Sequence, residues 1–455
     1  MKMIRKLLWN KKVLLVLDNL DNISQLKNLA ESPYWFGKGS RIIITTRDSH
    51  LLTLSGVDEQ RIYHIKTMNE DESLQLFSNK AFNKNHPPDE YYLKHSKSVV
   101  KYAGGLPLAL EVLGSFLCGR IKAEWIDALD RLKQIPDNDI LQVLKISYDG
   151  LRNEKEKTIF LDIACFFKGR QKRHVTQILE RCSLHATIGI SVLIQKTLLV
   201  ETADCRLQMH DLFQELGRNI VKQEYPNSVG KRSRLWKFED IKEVLEKNKG
   251  SEAIQAIVME DDWYGKPELE VHPEAFSKMS SIRLFYLSNL FAEMPGHFSN
   301  HRWFILPRGL KSLSGALKVI RWPLFPLEAL PLETPLHKIV VIEMCKSKIK
   351  QLWNDKQFMT NLKLIDLRNS PNFMETLDFS RVPNLEYLRL SGCKSLVKVH
   401  PSLGQLKELV EVYLDGCENL EILPEKLETN SLTKLDLSEC RKVPVLPVQH
   451  LTFIY

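Results

Sequence analysis

The stretch "LEYLRLSGC", residues 385–393, decides how the C-terminal third of the chain folds. Leu388 and Leu390 alternate with Tyr387 and Arg389, so a short strand here carries its apolar side chains on one face and its polar ones on the other. The same spacing recurs as Leu362-Ile365-Leu367, Leu409-Val412-Leu414 and Leu432-Leu435-Leu437. Counted at the last apolar position, the steps are 23, 24 and 23 residues, and looser units end 23 residues earlier at Met344 and another 22 earlier at Trp322. One such unit cannot bury its apolar face alone. Stacked units can, each against the next.

A period in the range of about 20–29 residues with this pattern is the leucine-rich-repeat signature. Three residues after the last apolar position of each unit stand Ser347, Ser370, Cys393, Cys417 and Cys440, an inward site expected to bond the neighbouring backbone. The outward positions Tyr387, Arg389, Glu411, Tyr413, Lys434 and Asp436 are expected to line one polar face. Tyrosines among mixed charges are what a protein-recognition surface uses.

The chain begins differently. In "KKVLLVLDNLDN", 11–22, five apolar residues run into Asp18, as in a strand buried on both faces of a parallel sheet that delivers a carboxylate to its C-terminal edge. "KGSRIIITTRD", 38–48, repeats the pattern and ends at Arg47, and "RIYHIK", 61–66, is a third short apolar run. Strands alternating with helical stretches argue for a parallel α/β sheet with Asp18 and Arg47 along one edge. An acid there can hold Mg²⁺, and an arginine can sense a terminal phosphate. A phosphate loop, GxxxxGK[ST], is absent: "FGKGS" at 36–40 precedes a strand and has no Ser or Thr directly after its lysine.

"YAGGLPLALEVLGSFL", 102–117, reads as a Gly-Gly turn followed by a helix with Pro107 in its first turn, where a missing N–H costs nothing. Further on, helical spacing through "FLDIACFFKG" (160–169) is followed by helix, strand "LLVET", turn "ADC", strand "RLQMH" and helix, a winged-helix pattern. Winged helices often bind DNA, but the segment "SVLIQKTLLV" offers one lysine for phosphate contact, which argues against nucleic acid. Asp211 followed by Gln214 looks like a capping box opening the last helix, and His210 just before it is placed either to pack or to meet an anion.

Composition is that of globular material: 455 residues, 44% apolar, 26% charged, net charge +8. Length alone implies about three or four domains. Eight cysteines without CxxC spacing read as reduced thiols, which points to the cytoplasm or the nucleus. No apolar run reaches the roughly 18–20 residues that span a bilayer, so no membrane role is expected. The basic start "MKMIRKLLWNKK" reads as a helix end leading into the first strand.

Read in order, "VLLVLDNLDN", "GSRIIITTRD", "GGLPLAL", "FLDIACFFKG", "LQMHDL", "KRSRLW" and then the repeats resemble plant intracellular immune receptors of the nucleotide-binding leucine-rich-repeat class. Asp21 and "FLDIACFF" resemble the subclass that bears a TIR domain, of which this sequence has no segment. The resemblance implies an α/β class: a partial parallel-sheet P-loop NTPase-like segment, then helical and winged-helix subdomains, then a leucine-rich-repeat solenoid. Its implied boundaries are 1–85 for the C-terminal part of the nucleotide-binding α/β domain, 86–138 and 139–248 for the helical and winged-helix subdomains, 249–310 for a linker and entry to the repeats, and 311–455 for the repeats.

It also implies roles. Asp18 resembles the family's Mg²⁺-holding acid, Arg47 its nucleotide sensor, Pro107 the residue packing on adenine and His210 the contact to the β-phosphate of ADP, with Asp211 beside it in the switch. ADP or ATP with Mg²⁺ is thus the implied cofactor, weakened here by the missing phosphate loop. Asn19 stands where the family has a second acid, and an amide cannot act as general base. The expectation is a non-enzymatic, truncated receptor working in defence signalling through protein partners: a pathogen effector, a guarded host protein or other immune receptors. The alternatives are a repeat-based binding or decoy protein, and an ATPase switch completed by an upstream segment.

Overall fold

The computed structural model describes residues 8–20, 22–30, 35–134, 138–259, 267–288, 304–331, 336–352, 357–426, 431–443 and 453–454. The start of the chain through Leu7 and the subclass marker Asp21 lie outside the described residues. The chain divides into two compact units, one of residues 1–176 and 184–218, the other of 177–183 and 219–455.

The first unit opens with a parallel pair, β1 (Leu14–Leu17) and β2 (Arg41–Ile44), separated by α1 (Ile23–Ala30). Its register sets Leu14 against Arg41 and Leu17 against Ile44, and Thr45 N–H extends it by donating to Leu17 O at 2.9 Å. Leu17, Leu20, Leu26 and Phe36 form a small core, with Val13, Leu15, Ile42 and Ile44 packed against it. The opposite side is open: Leu14, Val16 and Ile43 are 65%, 55% and 49% exposed. Burial on both faces, expected from the sequence, is therefore corrected to burial on one. "RIYHIK" forms no strand either; Tyr63 and Ile65 are 85% and 86% exposed. A short apolar run alone does not make a strand, because its backbone needs a ladder partner.

Helices come next: α2 (Ser49–Leu54), α3 (Glu70–Phe82), α4 (Glu90–Ala103), α5 (Pro107–Leu117), α6 (Lys122–Gln134), α7 (Asn138–Asp149), α8 (Glu154–Asp162), α9 (Lys172–Arg181) and α10 (Ala186–Gln195). A full capping box starts α3, with Asn69 accepting from Glu72 N–H and Glu72 from Asn69 N–H. Gly104, at φ +57°, ends α4, and Pro107 opens α5. Phe77, Phe82, Tyr92 and Trp125 form an aromatic cluster among α3, α4 and α6. The end of α8 widens into a π-turn over Ile163–Phe167. After α10 comes the expected wing, β3 (Val200–Glu201) antiparallel to β4 (Leu207–Gln208), then α11 (Asp211–Glu224). An isolated antiparallel bridge between Gln171 and Arg206 adds a third segment to the wing.

In the second unit, β5 (Arg234–Leu235) is followed by α12 (Phe238–Glu246), β6 (Ala256–Met259), β7 (Leu269–Glu270), β8 (Leu284–Leu287), β9 (Phe304–Ile305) and β10 (Val319–Arg321). Next come β11 (Val341–Glu343), β12 (Leu364–Asp366), β13 (Tyr387–Arg389), β14 (Glu411–Tyr413), β15 (Lys434–Asp436) and β16 (Phe453–Ile454). All but β7 and β9, which pair with each other, form one ten-stranded parallel sheet running from β5 to β16. The register Val341, Leu364, Tyr387, Glu411, Lys434 reproduces the repeat period read from the sequence. The ladder begins earlier than the repeat pattern: it already includes Arg234, Ala256 and Leu284, upstream of residue 311.

Behind the strands the repeats share one continuous core, including Leu362, Leu385, Leu409, Leu367, Leu390 and Leu414, all fully buried. The inward site behaves as expected. Cys393, Cys417 and Cys440 donate their thiols to the carbonyls of Leu367, Leu390 and Leu414 at 3.2, 3.2 and 3.0 Å, and Ser370 reaches Met344 O at 3.4 Å. Burial pushes the Cys393 thiol up to about 12 and raises Cys417 and Cys440 as well. None of the eight cysteines, all among the described residues, forms a disulfide.

Candidate functional site

The carboxyl ends of β1 and β2 are tied together by the threonines of "TTRD". Thr45 Oγ1 donates to Asp18 Oδ1 and accepts from Asn19 N–H at 2.8 Å; Thr46 Oγ1 donates to Leu20 O at 2.6 Å. Asn19 turns the chain at φ +54°, a conformation that asparagine tolerates. Asp18 is thus held at the strand's end, exposed. The hydroxyl beside it leaves one carboxylate oxygen free for a cation.

Arg47 and its neighbours reach into the helical part of the unit. Arg47 Nη1 donates to Ser147 Oγ at 3.1 Å. Asp48 caps α2 through His50 N–H and takes a second bond from Lys196 Nζ at 3.1 Å, while Ser49 Oγ donates to Gln195 O at 3.3 Å. With both side chains mostly covered, the Asp48–Lys196 pair is less screened than a surface pair.

His210 meets the Gly-Gly turn. Its Nδ1 accepts from Leu212 N–H at 3.2 Å, and its Nε2 lies 3.1 Å from Gly104 O. An amide can only donate and a carbonyl can only accept, so the ring is the neutral Nε2–H tautomer. The glycines are more than a flexible turn. A Cβ on Gly104 would stand 2.4 Å from His210 Nε2, and one on Gly105 would stand 2.4 Å from Met68 O, which that residue's own N–H balances by bonding Gly105 O at 3.0 Å. His210 itself is the cap of α11, accepting Phe213 and Gln214 N–H on its carbonyl. The capping box read at Asp211 and Gln214 does not form: Asp211 lies inside the first turn, and both side chains turn to Lys168 Nζ. Pro107 is exposed on the first turn of α5, three residues from the His210 contact.

The structure thus joins His210 to the turn preceding Pro107 and ties Arg47 to α7; among the described residues no hydrogen bond links Asp18 to either group. Sequence reading missed Thr45, Lys196 and Lys168. All three lie within quoted stretches, "TTRD", "SVLIQKTLLV" and "FLDIACFFKG", but nothing local in those stretches named their partners. The second carboxylate oxygen of Asp18 and the Arg47 guanidinium are the groups of this edge chemically suited to a divalent cation and to a phosphate. The phosphates would lack a cradle, since no GxxxxGK[ST] occurs in the chain. Among the described residues no cluster of three or more His, Cys, Asp or Glu could hold a metal, and no helix is long and apolar enough to cross a membrane.

On the repeats, the register lines up Tyr387, Glu411 and Lys434 in one row and Arg389, Tyr413 and Asp436 in the next, each side chain half-buried. Lys434 Nζ lies 4.6 Å from the centre of the Tyr413 ring.

The NB-ARC domain family matches residues 1–87, and the winged-helix domain of the "Disease resistance protein Roq1-like" family matches 153–225. The chain is 37% identical to the TMV resistance protein N of Nicotiana glutinosa over 443 residues, 97% of this chain and 36% of that protein. It is 39% identical over 421 residues to disease resistance protein RUN1 of Vitis rotundifolia, covering 89% of this chain and 31% of the relative. For RPS6 of Arabidopsis thaliana the identity is 36% over 438 residues, 96% of this chain and 38% of the relative. The chain thus spans about a third of the length of these relatives. With these two domain matches, the leucine-rich repeats after them and the similarity to the relatives along nearly its whole length, the chain belongs to the TIR-type branch of the plant NB-ARC and leucine-rich-repeat disease resistance proteins.

Proposed function

We propose that this chain works in plant defence signalling, with its first unit as a nucleotide-responsive switch and its repeats as a protein-recognition surface. The observation that carries the reading is the bond between His210 and Gly104: it closes the winged-helix segment onto the turn before Pro107, which is how a bound diphosphate would be held from the far side. ADP with Mg²⁺ would meet Asp18 on the metal side, with Arg47 as sensor, Pro107 against the base and His210 at the β-phosphate, to which its Nε2–H would turn from Gly104 O. Because the backbone cradle supplies most phosphate affinity, this chain alone should bind ADP weakly. We assign it no enzymatic turnover: Asn19 offers no general base beside Asp18. The proposed partners are a pathogen effector, a guarded host protein or a second immune receptor, met in the cytoplasm or nucleus.

Calorimetric titration with Mg·ADP tests the switch. Binding weaker than about 100 μM that disappears in His210→Ala supports it, as does tightening when a phosphate-loop segment is supplied upstream; micromolar binding by this chain alone would contradict the weakened site. The six-residue face of the repeats favours a second reading, a binding or decoy protein whose nucleotide module is inert. Partner capture indifferent to ADP, to the upstream segment and to His210→Ala would select it.

A further inference from the structure

The His210 loop is held from a direction that the nucleotide reading does not use. The π-turn at the end of α8 is closed by Lys168 N–H donating to Ile163 O at 3.0 Å, and the chain then leaves the helix. A π-turn inserts one residue into the helical repeat, which rotates the residues beyond it by about one position and re-aims their side chains. Here it aims Lys168. Its ammonium, with 18% of the side chain exposed, bonds the Asp211 carboxylate and donates to Gln214 Oε1 at 3.2 Å. Gln214 in turn donates from Nε2 to Ala164 O, inside the same π-turn, at 3.3 Å.

The next residue holds the other side. Gly169 N–H donates to Leu207 O at 2.6 Å, and Leu207 N–H returns a bond to Arg170 O at 2.9 Å. Two consecutive residues, Lys168 and Gly169, therefore grip the segment 207–211 at both ends. Met209 and His210 lie within the grip.

We infer that Lys168 is a positioning residue for His210: by holding Asp211 and Gln214 in the first turn of α11, it fixes the Leu212 N–H that selects the His210 tautomer and thereby the ring's contact with Gly104. The inference rests on reading His210 as the switch residue. It adds a cation on the "FLDIACFFKG" block as the group that sets the switch at rest, and it makes release of Asp211 from Lys168 the step that frees the ring.

The test uses the full chain labelled with ¹⁵N-histidine, without nucleotide, and follows the two-bond correlations of each imidazole; His210→Gln assigns the signal. The unsubstituted chain should show His210 as a single Nε2–H tautomer. Lys168→Met, which keeps the apolar stem and removes the charge, should give a mixture of tautomers and speed exchange of the Leu212 amide about three- to fivefold, the size expected for losing one partly exposed ion pair. Lys168→Arg should restore the single tautomer. The signal of His95, bonded to Tyr91 O at 2.8 Å, should not move in any variant. If Lys168→Met does not fold, Asp211→Asn, which alters the exposed partner, should produce the same mixture. An unchanged His210 signal in a folded Lys168→Met or Asp211→Asn protein overturns the inference. Mg·ADP titration of the same samples is independent: a Lys168-dependent tautomer without any nucleotide binding keeps the inference and removes the nucleotide reading.

Discussion

Gly104 and His210 occupy one volume between them: the space a Cβ on Gly104 would need is filled by the imidazole, 2.4 Å away at Nε2. The contact joins residues 106 positions apart. It explains why the turn before Pro107 carries glycine at a position that also needs φ +57°.

Gly104→Ala should therefore cost more than backbone strain. Gly119 has a similar φ of +71° but nothing within 4 Å of its Cβ position, so Gly119→Ala reports strain alone, about 1 kcal/mol. Gly104→Ala adds the clash and should lose about 2–4 kcal/mol, with His210 displaced. Denaturant unfolding of both variants, followed by a first-unit probe such as Trp125 fluorescence, measures the difference. Equal losses would mean that the ring moves aside freely.

The open face of β1 and β2 should tolerate polarity. Leu14, Val16 and Ile43 are half-exposed or more, whereas Leu17 is buried. Changing Leu14, Val16 and Ile43 together to threonine should shift stability by less than about 1 kcal/mol and slow aggregation, since an uncovered apolar sheet face invites association. Leu17→Ala should cost about 2–3 kcal/mol. Light scattering on warming, with unfolding curves alongside, separates the two effects; faster aggregation of the threonine variant would show that the face is covered in solution.

How much of this was readable depended on whether a signal was local. The repeats were legible because one unit fixes its own strand and its own inward residue, and Cys393, Cys417 and Cys440 landed where the period put them. The first sheet was legible in part: "VLLVLD" and "RIIITT" paired as read, while "RIYHIK" and the second face of β1 depended on neighbours that a local pattern cannot supply. The site divided in the same way. His210 stood out by motif, but Lys168 became visible only once the π-turn had aimed it across 43 residues at Asp211.

The buried thiols give a pH prediction. Burial raises the Cys345 and Cys393 thiols from an ordinary value near 9 to about 12. A raised folded value means that the unfolded chain ionises first, so the stabilisation is complete below about pH 9 and is lost as pH rises toward 12. From pH 8 to 10 each should cost the second unit about 1 kcal/mol. Cys393→Ser should remove one share while keeping the bond to Leu367 O, since Ser370 occupies the equivalent position one repeat earlier. Native maleimide labelling at pH 8 should mark the exposed Cys118 and Cys205 and spare Cys393 and Cys417. Labelling of the last two at a similar rate would show that the repeats open.

The polar face of the repeats should bind through its centre. Tyr413 sits between the strands that carry Tyr387 and Arg389 on one side and Lys434 and Asp436 on the other, and the Lys434 ammonium already lies over its ring. An aromatic residue in that position buries large area at low entropic cost, and hot spots gather at the centre of an interface within a rim that contributes little. Against a captured partner, Tyr413→Ala should weaken binding by at least about 2 kcal/mol, roughly thirtyfold. Asp436 is further constrained by accepting from Ser438 N–H at 3.2 Å and Ser438 Oγ at 2.7 Å, so Asp436→Ala removes a turn contact as well as a rim charge. Its effect should appear mainly in the association rate and its salt dependence. Surface plasmon resonance at two ionic strengths separates the two residues. The unfolding midpoint of Tyr413→Ala should stay within about 1 kcal/mol of the parent, because the side chain is half-exposed and the strand's inward Val412 and Leu414 hold the repeat. A Tyr413→Ala protein that folds normally and keeps full affinity would move recognition off this face.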